Sequence, residues 1–298
     1  MKKSLLFVAC ALAMMTTSCE NSELLTNSAE TSLVTLNVQS PEMVLRSFGD
    51  GTSATDLYYA IYDADGNIVS EISKVDEATK ETINITKTLQ LRLVTGNTYS
   101  MIFWADNMND VCDVDFTNKI MTFKPTTANM EEYDAFYAYE APFKVTGDLT
   151  KTIYLYRPFA QINVGANDFV AADAAGLKVT NSQIKLTTYS TMNLVDGTVA
   201  NEVEVTYAYN NIPTGEIFPV AGYEYLAMNY VLVAEEQETV DVEFSYNNGG
   251  NYVNDYTFVP VQRNYRTNIY GSILTSDVEV NVVIEPAFEE PDNNHVVD

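Results

Sequence analysis

The segment Thr152–Val164, TIYLYRPFAQINV, constrains the fold more than any other part of the chain. Apolar and polar side chains alternate over 152–156, which predicts a half-buried β-strand. Arg157-Pro158 interrupts this run, because proline has no backbone N–H to contribute to a sheet. A second alternation follows over 159–164. Two strands therefore meet end to end near the middle of the chain, and we predict a domain boundary there, ordered by Arg157.

Short runs with the same alternation recur on both sides of this segment, separated by turns rich in glycine and asparagine. The predicted strands are 32–39, 57–62, 67–72, 82–94, 99–105, 119–123 and 135–139 before it, and 177–188, 202–209, 224–233, 239–246, 252–260, 265–274 and 278–284 after it. Only 167–175 has a helix-forming composition, with Gly176 as its stop. The pattern predicts an all-β fold of two tandem antiparallel β-sandwiches of transthyretin-like type.

The N-terminal residues carry an export signal. Lys2 and Lys3 precede an apolar run and then small residues, which is the layout of a secretory signal peptide. Cys19 follows at once and resembles the lipobox cysteine of bacterial lipoproteins, which is lipidated (as with palmitate) and becomes the mature N-terminus. Glu20 and Glu23 resemble the surface-export signals of some Gram-negative lipoproteins. The alternative is plain secretion without an anchor.

These features predict an order along the chain. Residues 1–18 form the signal peptide, 19–32 a lipidated tether, 33–157 the first β-sandwich, 158–288 the second, and 289–298 an acidic tail. The expected location is the cell outer membrane, lipid-anchored and exposed at the surface.

Charge and residue counts exclude several functions. The formal charge of −25 repels phosphate backbones, so we expect no nucleic acid partner. The only histidine is His295 in the tail, and Cys112 is the only cysteine of the folded body, so no Cys/His metal site and no histidine-dependent catalysis is expected. A glycosidase-type carboxylate pair cannot be singled out among 41 acidic residues. We predict no enzyme activity, no cofactor and no metal.

Two acidic stretches each leave an alternative open. Asp63-Ala64-Asp65-Gly66 is predicted to be a hairpin turn, because Lys74 stands where a calcium-binding loop needs its bidentate glutamate. Asp106–Asp115 is either a solvated loop or a weak cation site. Trp104, the only tryptophan, is predicted to pack in a core.

Several stretches resemble the fimbrillin family, the two-domain β-sandwich pilins and pilin-like lipoproteins of Gram-negative anaerobes. They are Leu57–Val69, Ile153–Val164 with its Arg-Pro-x-Ala core, Asn264–Thr275 and Val278–Phe288. Together with the lipobox they cover nearly the whole chain, and their order and spacing make the combination more specific than any single stretch.

The resemblance implies a mechanism of assembly. Family pilins are cut by an arginine-specific protease in the loop after the first strand, and a strand from the next subunit fills the groove that opens. Arg46 is the only arginine or lysine between Lys3 and Lys74, so the implied cut lies between Arg46 and Ser47. The alternative is that Arg46 is an ordinary solvated loop residue.

The implied donor strand comes from the C-terminal region. Residues 292–298 are too polar to fill a groove, whereas Val278–Phe288 is apolar enough, unless the second sandwich needs it. The implied function is a fimbrial structural or adhesion subunit, with other fimbrial subunits, the outer membrane and host or bacterial surface ligands as partners. The alternative function is a surface glycan-binding lipoprotein.

Overall fold

The computed structural model describes residues 29–40, 48–107, 110–247, 253–275 and 280–285. Within these ranges the chain forms strands, one short α-helix and a 3-10 turn at Glu131–Tyr133. The elements are β1 Thr31–Gln39, β2 Asp56–Tyr62, β3 Glu81–Thr82, β4 Thr86–Val94, β5 Thr98–Asp106, β6 Cys112–Asp115, β7 Ile120–Phe123, β8 Phe136–Lys144, β9 Leu149–Tyr154, β10 Phe159–Ala166, α1 Phe169–Ala174, β11 Asn181–Asn193, β12 Val199–Asn211, β13 Glu224–Leu232, β14 Glu238–Tyr246, β15 Val253–Val261, β16 Arg266–Gly271 and β17 Asn281–Glu285.

The first sandwich consists of two sheets around one apolar core. One sheet has the order β4-β1-β9 and the other the order β3-β2-β5-β8. Alternate residues of these strands point inward, as period-2 strands require. The fully buried residues of this core include Leu36, Leu57, Ile61, Met101 and Phe103.

The second sandwich pairs the sheet β13-β10-β16-β17 with a six-stranded sheet. The larger sheet runs β15-β14-β11-β7-β6, and β12 pairs with β11. The hairpin β6–β7 precedes the predicted boundary in sequence, yet β7 is antiparallel to β11 through Met121 and Met192. Hydrogen bonds within this one sheet therefore join residues before position 157 to residues after position 158. The domain boundary at 157/158 stays a prediction.

A third apolar cluster lies between the two sandwiches. It joins the outer side of the β2-β5 sheet to the β6–β7 hairpin and to β10 and β13. Trp104 is 1% exposed in this cluster, which confirms the predicted core position. Phe159 at the start of β10 packs against Phe123, with ring centroids 4.3 Å apart.

The break inside the segment Thr152–Val164 is present. β9 ends at Tyr154 and β10 begins at Phe159, so the Arg-Pro pair lies between strands in two different sheets. The predicted helix is present as α1, and Gly176 has the positive φ (83°) typical of a helix stop.

Three sequence predictions are wrong in detail. The predicted strand 82–94 is broken into β3 and β4, and Ile85 between them has a positive φ of 63°. Residues 67–72 are not a strand, because the backbone N–H groups of Ile72 and Ser73 both donate to the Val69 carbonyl and turn the chain. The turn before them is present, with the Asp63 carboxylate accepting the backbone N–H of Asn67 at 2.9 Å. The end of the acidic stretch 106–115 is the strand β6, paired with β7.

Candidate functional site

The candidate site is the strand β1 and the space that it fills. Its sequence, TSLVTLNVQ, alternates, and the inward residues Val34, Leu36 and Val38 have no exposed surface. These side chains lie in the core of the first sandwich with Leu89 of β4 and Ile153 of β9. We call the space that β1 occupies between β4 and β9 the β1 groove.

β1 holds its sheet together. It is antiparallel to β4 along its whole length, from Thr31 opposite Val94 to Gln39 opposite Thr86. On its other side it is parallel to β9, from Val34 opposite Leu149 to Gln39 opposite Tyr154. Among the described strands, neither β4 nor β9 has another ladder partner. Withdrawal of β1 would therefore leave two separate strands roughly 9 to 10 Å apart, since neighbouring strands are about 4.8 Å apart.

Both ends of β1 are fixed by hydrogen bonds. At its start, the backbone N–H of Leu33 donates to the Asp148 carboxylate at 2.7 Å. At its end, the Ser40 N–H donates to the carbonyl of Ile85 at 2.8 Å, and Leu155 N–H donates to the Gln39 carbonyl at 2.8 Å. The strand therefore begins and ends at defined positions in the groove.

The predicted cleavage residues Arg46 and Ser47 lie outside the described residues, as does Cys19. The segment 41–47 separates Ser40, the residue after β1, from Phe48, where the described chain resumes. In the described ranges, no helix is both long enough and apolar enough to cross a membrane.

The chain after this segment is anchored between the two sandwiches. Gly49 donates its backbone N–H to Glu131 Oε1 at 2.8 Å, and its carbonyl accepts from Arg157 Nη2 at 2.9 Å. The Phe48 ring contacts the Tyr225 ring edge-on, with centroids 5.2 Å apart. A protease cut at the predicted position would lie only two residues before this anchor.

Arg157 is the centre of the anchor. It has no exposed surface and forms a bidentate pair with Asp134, with Nε at 2.5 Å from Oδ1 and Nη2 at 2.7 Å from Oδ2. Its guanidinium lies 4.7 Å from the centre of the Phe136 ring. The hydroxyl of Tyr230 in β13 donates to Glu131 Oε2 at 3.1 Å. We call Gly49, Glu131, Asp134, Arg157 and Tyr230 the junction cluster.

Burial perturbs the carboxyl groups of this cluster. Burial, together with the nearby Asp134 carboxylate, raises the pKa of Glu131 to about 8. Burial also raises the pKa of Asp134, while the Arg157 guanidinium opposes that rise. The sequence pointed to Arg157 but not to its acidic partners, because nothing distinguishes Glu131 and Asp134 from the other acidic residues of the chain.

The acidic stretch 106–115 begins at a buried residue, Asp106, the last residue of β5. The Trp104 indole N–H donates to Asp106 Oδ2 at 2.8 Å. Burial raises the pKa of the Cys112 thiol well above its ordinary value, which makes it a poor nucleophile. Among the described residues, no group of three potential ligands could hold a metal ion.

Comparisons with known proteins give a family and a fold. The family model described as "Family of unknown function (DUF6562)" matches residues 26–298. No curated protein matches the sequence. A structure from Bacteroides thetaiotaomicron, provisionally described as polysaccharide binding proteins (DUF1812), has a TM-score of 0.51 at 13% identity and covers 86% of this chain and 99% of its own.

Two further solved structures are similar. One, from Bacteroides ovatus and provisionally described as an adhesin, has a TM-score of 0.50 at 10% identity, covering 85% of this chain and 95% of its own. A fimbrial assembly protein from Parabacteroides distasonis has a TM-score of 0.45 at 14% identity, covering 86% and 96%. The first two likenesses, at TM-scores of 0.51 and 0.50, show a shared fold.

Proposed function

Since the chain belongs to the DUF6562 family, whose function is unknown, we propose a function from its own structure: a surface-exposed, lipid-anchored fimbrial or adhesion subunit that assembles by strand exchange. The observation that carries this proposal is the position of β1. Among the described strands, it is the first along the chain and the sole ladder partner of both β4 and β9.

The β1 groove suits an incoming strand. Its walls offer the backbone groups of β4 on one side and of β9 on the other, and its floor accepts an apolar side chain at every second position. Addition of a strand satisfies those backbone groups by main-chain hydrogen bonds, while the floor selects for alternating apolar residues. Because β4 and β9 have no other partner in the described sheet, a vacated groove would not persist, and replacement must accompany withdrawal.

The C-terminal segment is our candidate for the donor strand. Residues 278–285, VEVNVVIE, place valine or isoleucine at every second position, as β1 does. β17 is antiparallel to β16 at the edge of its sheet, and Val282 and Val283 are 38% and 40% exposed. It thus adds little buried surface to its own sandwich and could leave it at a lower cost than an internal strand.

The proposed trigger is cleavage between Arg46 and Ser47. A cut there separates β1 from the rest of the chain, while Gly49 in the junction cluster holds the new N-terminal end in place. Anchoring through Cys19 and the outer-membrane location belong to the same proposal, as do other fimbrial subunits as partners.

N-terminal sequencing of assembled surface material tests the trigger. We expect the sequence to begin at Ser47, and Arg46→Ala should keep Cys19 as the N-terminus and abolish assembly. Lys74→Ala, which alters the next basic residue along the chain, is the matched control and should assemble normally. Assembled material that still begins at Cys19 would show that assembly does not require the cut.

A further inference from the structure

On the outward side of the sheet β4-β1-β9, no strand position carries a carboxylate, and the one beside it is that of the exposed Asp148, which accepts the Leu33 N–H just before β9. We call the outward positions of this sheet the neutral face. They are Thr31, Leu33, Thr35, Asn37 and Gln39 on β1, Thr86, Thr88, Gln90, Arg92 and Val94 on β4, and Thr150, Thr152 and Tyr154 on β9. The residues between them point inward, as period-2 strands require. The charges of this face are the Arg92 guanidinium, opposite Leu33, and the Asp148 carboxylate, which is bonded to Leu33, so they are opposite in sign and lie at the same end.

Strand register arranges these side chains in rows across the sheet. The rows are Gln90–Thr35–Thr150, Thr88–Asn37–Thr152 and Thr86–Gln39–Tyr154. Within one row the Thr88 hydroxyl donates to Asn37 Oδ1 at 3.1 Å. The rows follow one another along the strands, of which β1 and β4 are each about 30 Å long at roughly 3.3 Å per residue, and β9 is shorter. The result is an extended array of hydroxyl and amide groups with few apolar and almost no charged members.

Tyrosine side chains lie at one end of this array. Tyr154 is 42% exposed and Tyr156, two residues on, is 48% exposed. A tyrosine ring offers an apolar surface together with a polar hydroxyl, which suits a ligand that has both characters.

The outer side of the six-stranded sheet shows that this neutrality is local. Its outward positions carry Glu202, Glu204, Asp241, Glu243 and Asp255, against the single cation Lys185, which pairs with Glu204 at 3.2 Å. The negative charge of the chain is therefore distributed unevenly between two sheet faces of the same molecule.

We propose that the neutral face binds an uncharged polysaccharide chain. An anionic polymer would find only Arg92 as a counter-charge, and a basic protein would find only Asp148, at the same end of the face. A dry contact with a second copy of the chain would bury hydroxyl and amide groups without partners, which is costly. The hydroxyl groups of a neutral glycan can form hydrogen bonds with the hydroxyl and amide groups of the face. The tyrosine rings offer a surface on which its sugar rings can pack.

Binding at the neutral face would not require strand exchange. One of its three strands, β1, is nevertheless the strand that exchange would replace. β1 supplies the central column of the neutral face, so the site as described belongs to the chain that still contains β1. Binding is therefore tested on the uncleaved, unassembled full chain, and its failure leaves the assembly test above unaffected.

Affinity electrophoresis of the full chain in gels containing starch, mannan or xyloglucan tests the proposal, with polygalacturonate as the anionic probe. We expect retardation by at least one of the three neutral polysaccharides and none by polygalacturonate. Thr152→Asp and Tyr154→Ala should each weaken that retardation about tenfold, which corresponds to the loss of roughly one good contact. Thr187→Asp, an exposed threonine on the acidic sheet, is the matched control and should bind as the unaltered chain does.

Three results would overturn the proposal. The first is no retardation by any of the neutral polysaccharides, and the second is equal retardation by polygalacturonate. The third is self-association in sedimentation experiments that Thr152→Asp abolishes, which would make the neutral face a contact between copies. Thermal unfolding of each variant checks that a loss of binding does not come from a loss of folding.

Discussion

The floor of the β1 groove and the Arg157–Asp134 pair of the junction cluster are both fully buried, but they are closed by opposite chemistry. The groove is closed by Val34, Leu36 and Val38 against other hydrocarbon side chains. The junction cluster is closed by the ion pair of Arg157 with Asp134 and by hydrogen bonds to Glu131. Apolar packing is non-directional and tolerates another side chain of similar volume. A bidentate ion pair accepts only its own partner geometry.

This difference separates the exchangeable part of the molecule from the fixed part. A different strand with an alternating apolar pattern can occupy the groove with the loss of only peripheral side-chain hydrogen bonds, such as that between Thr88 and Asn37. No such replacement is available at the junction, because a missing partner would leave a buried charge uncompensated. The proposed cleavage position lies between these two regions in sequence, with Ser40 on the groove side and Gly49 on the junction side.

The largest expected effect comes from the junction. Arg157→Ala leaves Asp134 buried without its cation and should lower the free energy of unfolding by about 3–5 kcal/mol. Urea unfolding followed by the fluorescence of Trp104, the only tryptophan, measures it. The double variant Arg157→Met with Asp134→Leu is the control, and it should recover most of the loss. A cost below about 1 kcal/mol for Arg157→Ala would show that charge does not hold the junction.

The groove should respond to volume. Leu36→Ala removes a fully buried side chain and should lower the free energy of unfolding by about 2–5 kcal/mol. Leu36→Met, which nearly conserves volume, should cost less than about 1.5 kcal/mol. If the two variants were equally destabilised, the groove would be as specific as the junction and the comparison would fail.

The two regions should also differ in their response to pH. The folded protein keeps a proton on Glu131 up to about pH 8, whereas the unfolded chain loses it near the ordinary pKa of 4.5. The free energy of unfolding should therefore fall as pH rises through that window, by at most about 1.4 kcal/mol per pH unit.

Glu131→Gln should reduce this slope, since the amide resembles the protonated acid, and the raised pKa of Asp134 leaves a smaller slope of the same sign. Leu36→Ala should shift the whole curve without changing its slope. Urea unfolding at several pH values between 5 and 8 measures both, and an unchanged slope in Glu131→Gln would remove Glu131 as its origin.

The smallest effect is expected at β17. Val283 is 40% exposed on an edge strand, so Val283→Ala should change the free energy of unfolding by no more than about 0.5 kcal/mol. The difference between this change and that of Leu36→Ala measures how much more an inward side chain of β1 contributes to stability than a side chain of β17 does. A cost similar to that of Leu36→Ala would argue against β17 as a strand that can leave its sheet.

Much of the fold could be predicted from local patterns. Alternation located β1 to within two residues at each end, and the Arg-Pro pair located the break between β9 and β10. Period-2 alternation predicts which face of a strand is buried, but not which strand lies beside it. For that reason the pairing of β7 with β11 and the parallel pairing of β1 with β9 were not predicted.

The sites were predictable only in part, for a related reason. Arg157 could be singled out because it stands beside a proline in a strand break. Asp134 lies more than twenty residues earlier in the chain, and only the folded chain brings it to the guanidinium. The neutral face is likewise a property of register, since its side chains come from three separate strands.

The parallel pairing of β1 with β9 also has a consequence for the order of folding. Val34 meets Leu149, so the contact closes a loop of more than a hundred residues. Such non-local pairings form slowly, because the entropy of closing the loop is lost before the contact is gained. During synthesis β1 emerges before the other described strands, but its sheet cannot be completed until β9 has followed. Its apolar side remains open to other strands throughout that interval, which makes β1 the described strand most exposed to mispairing.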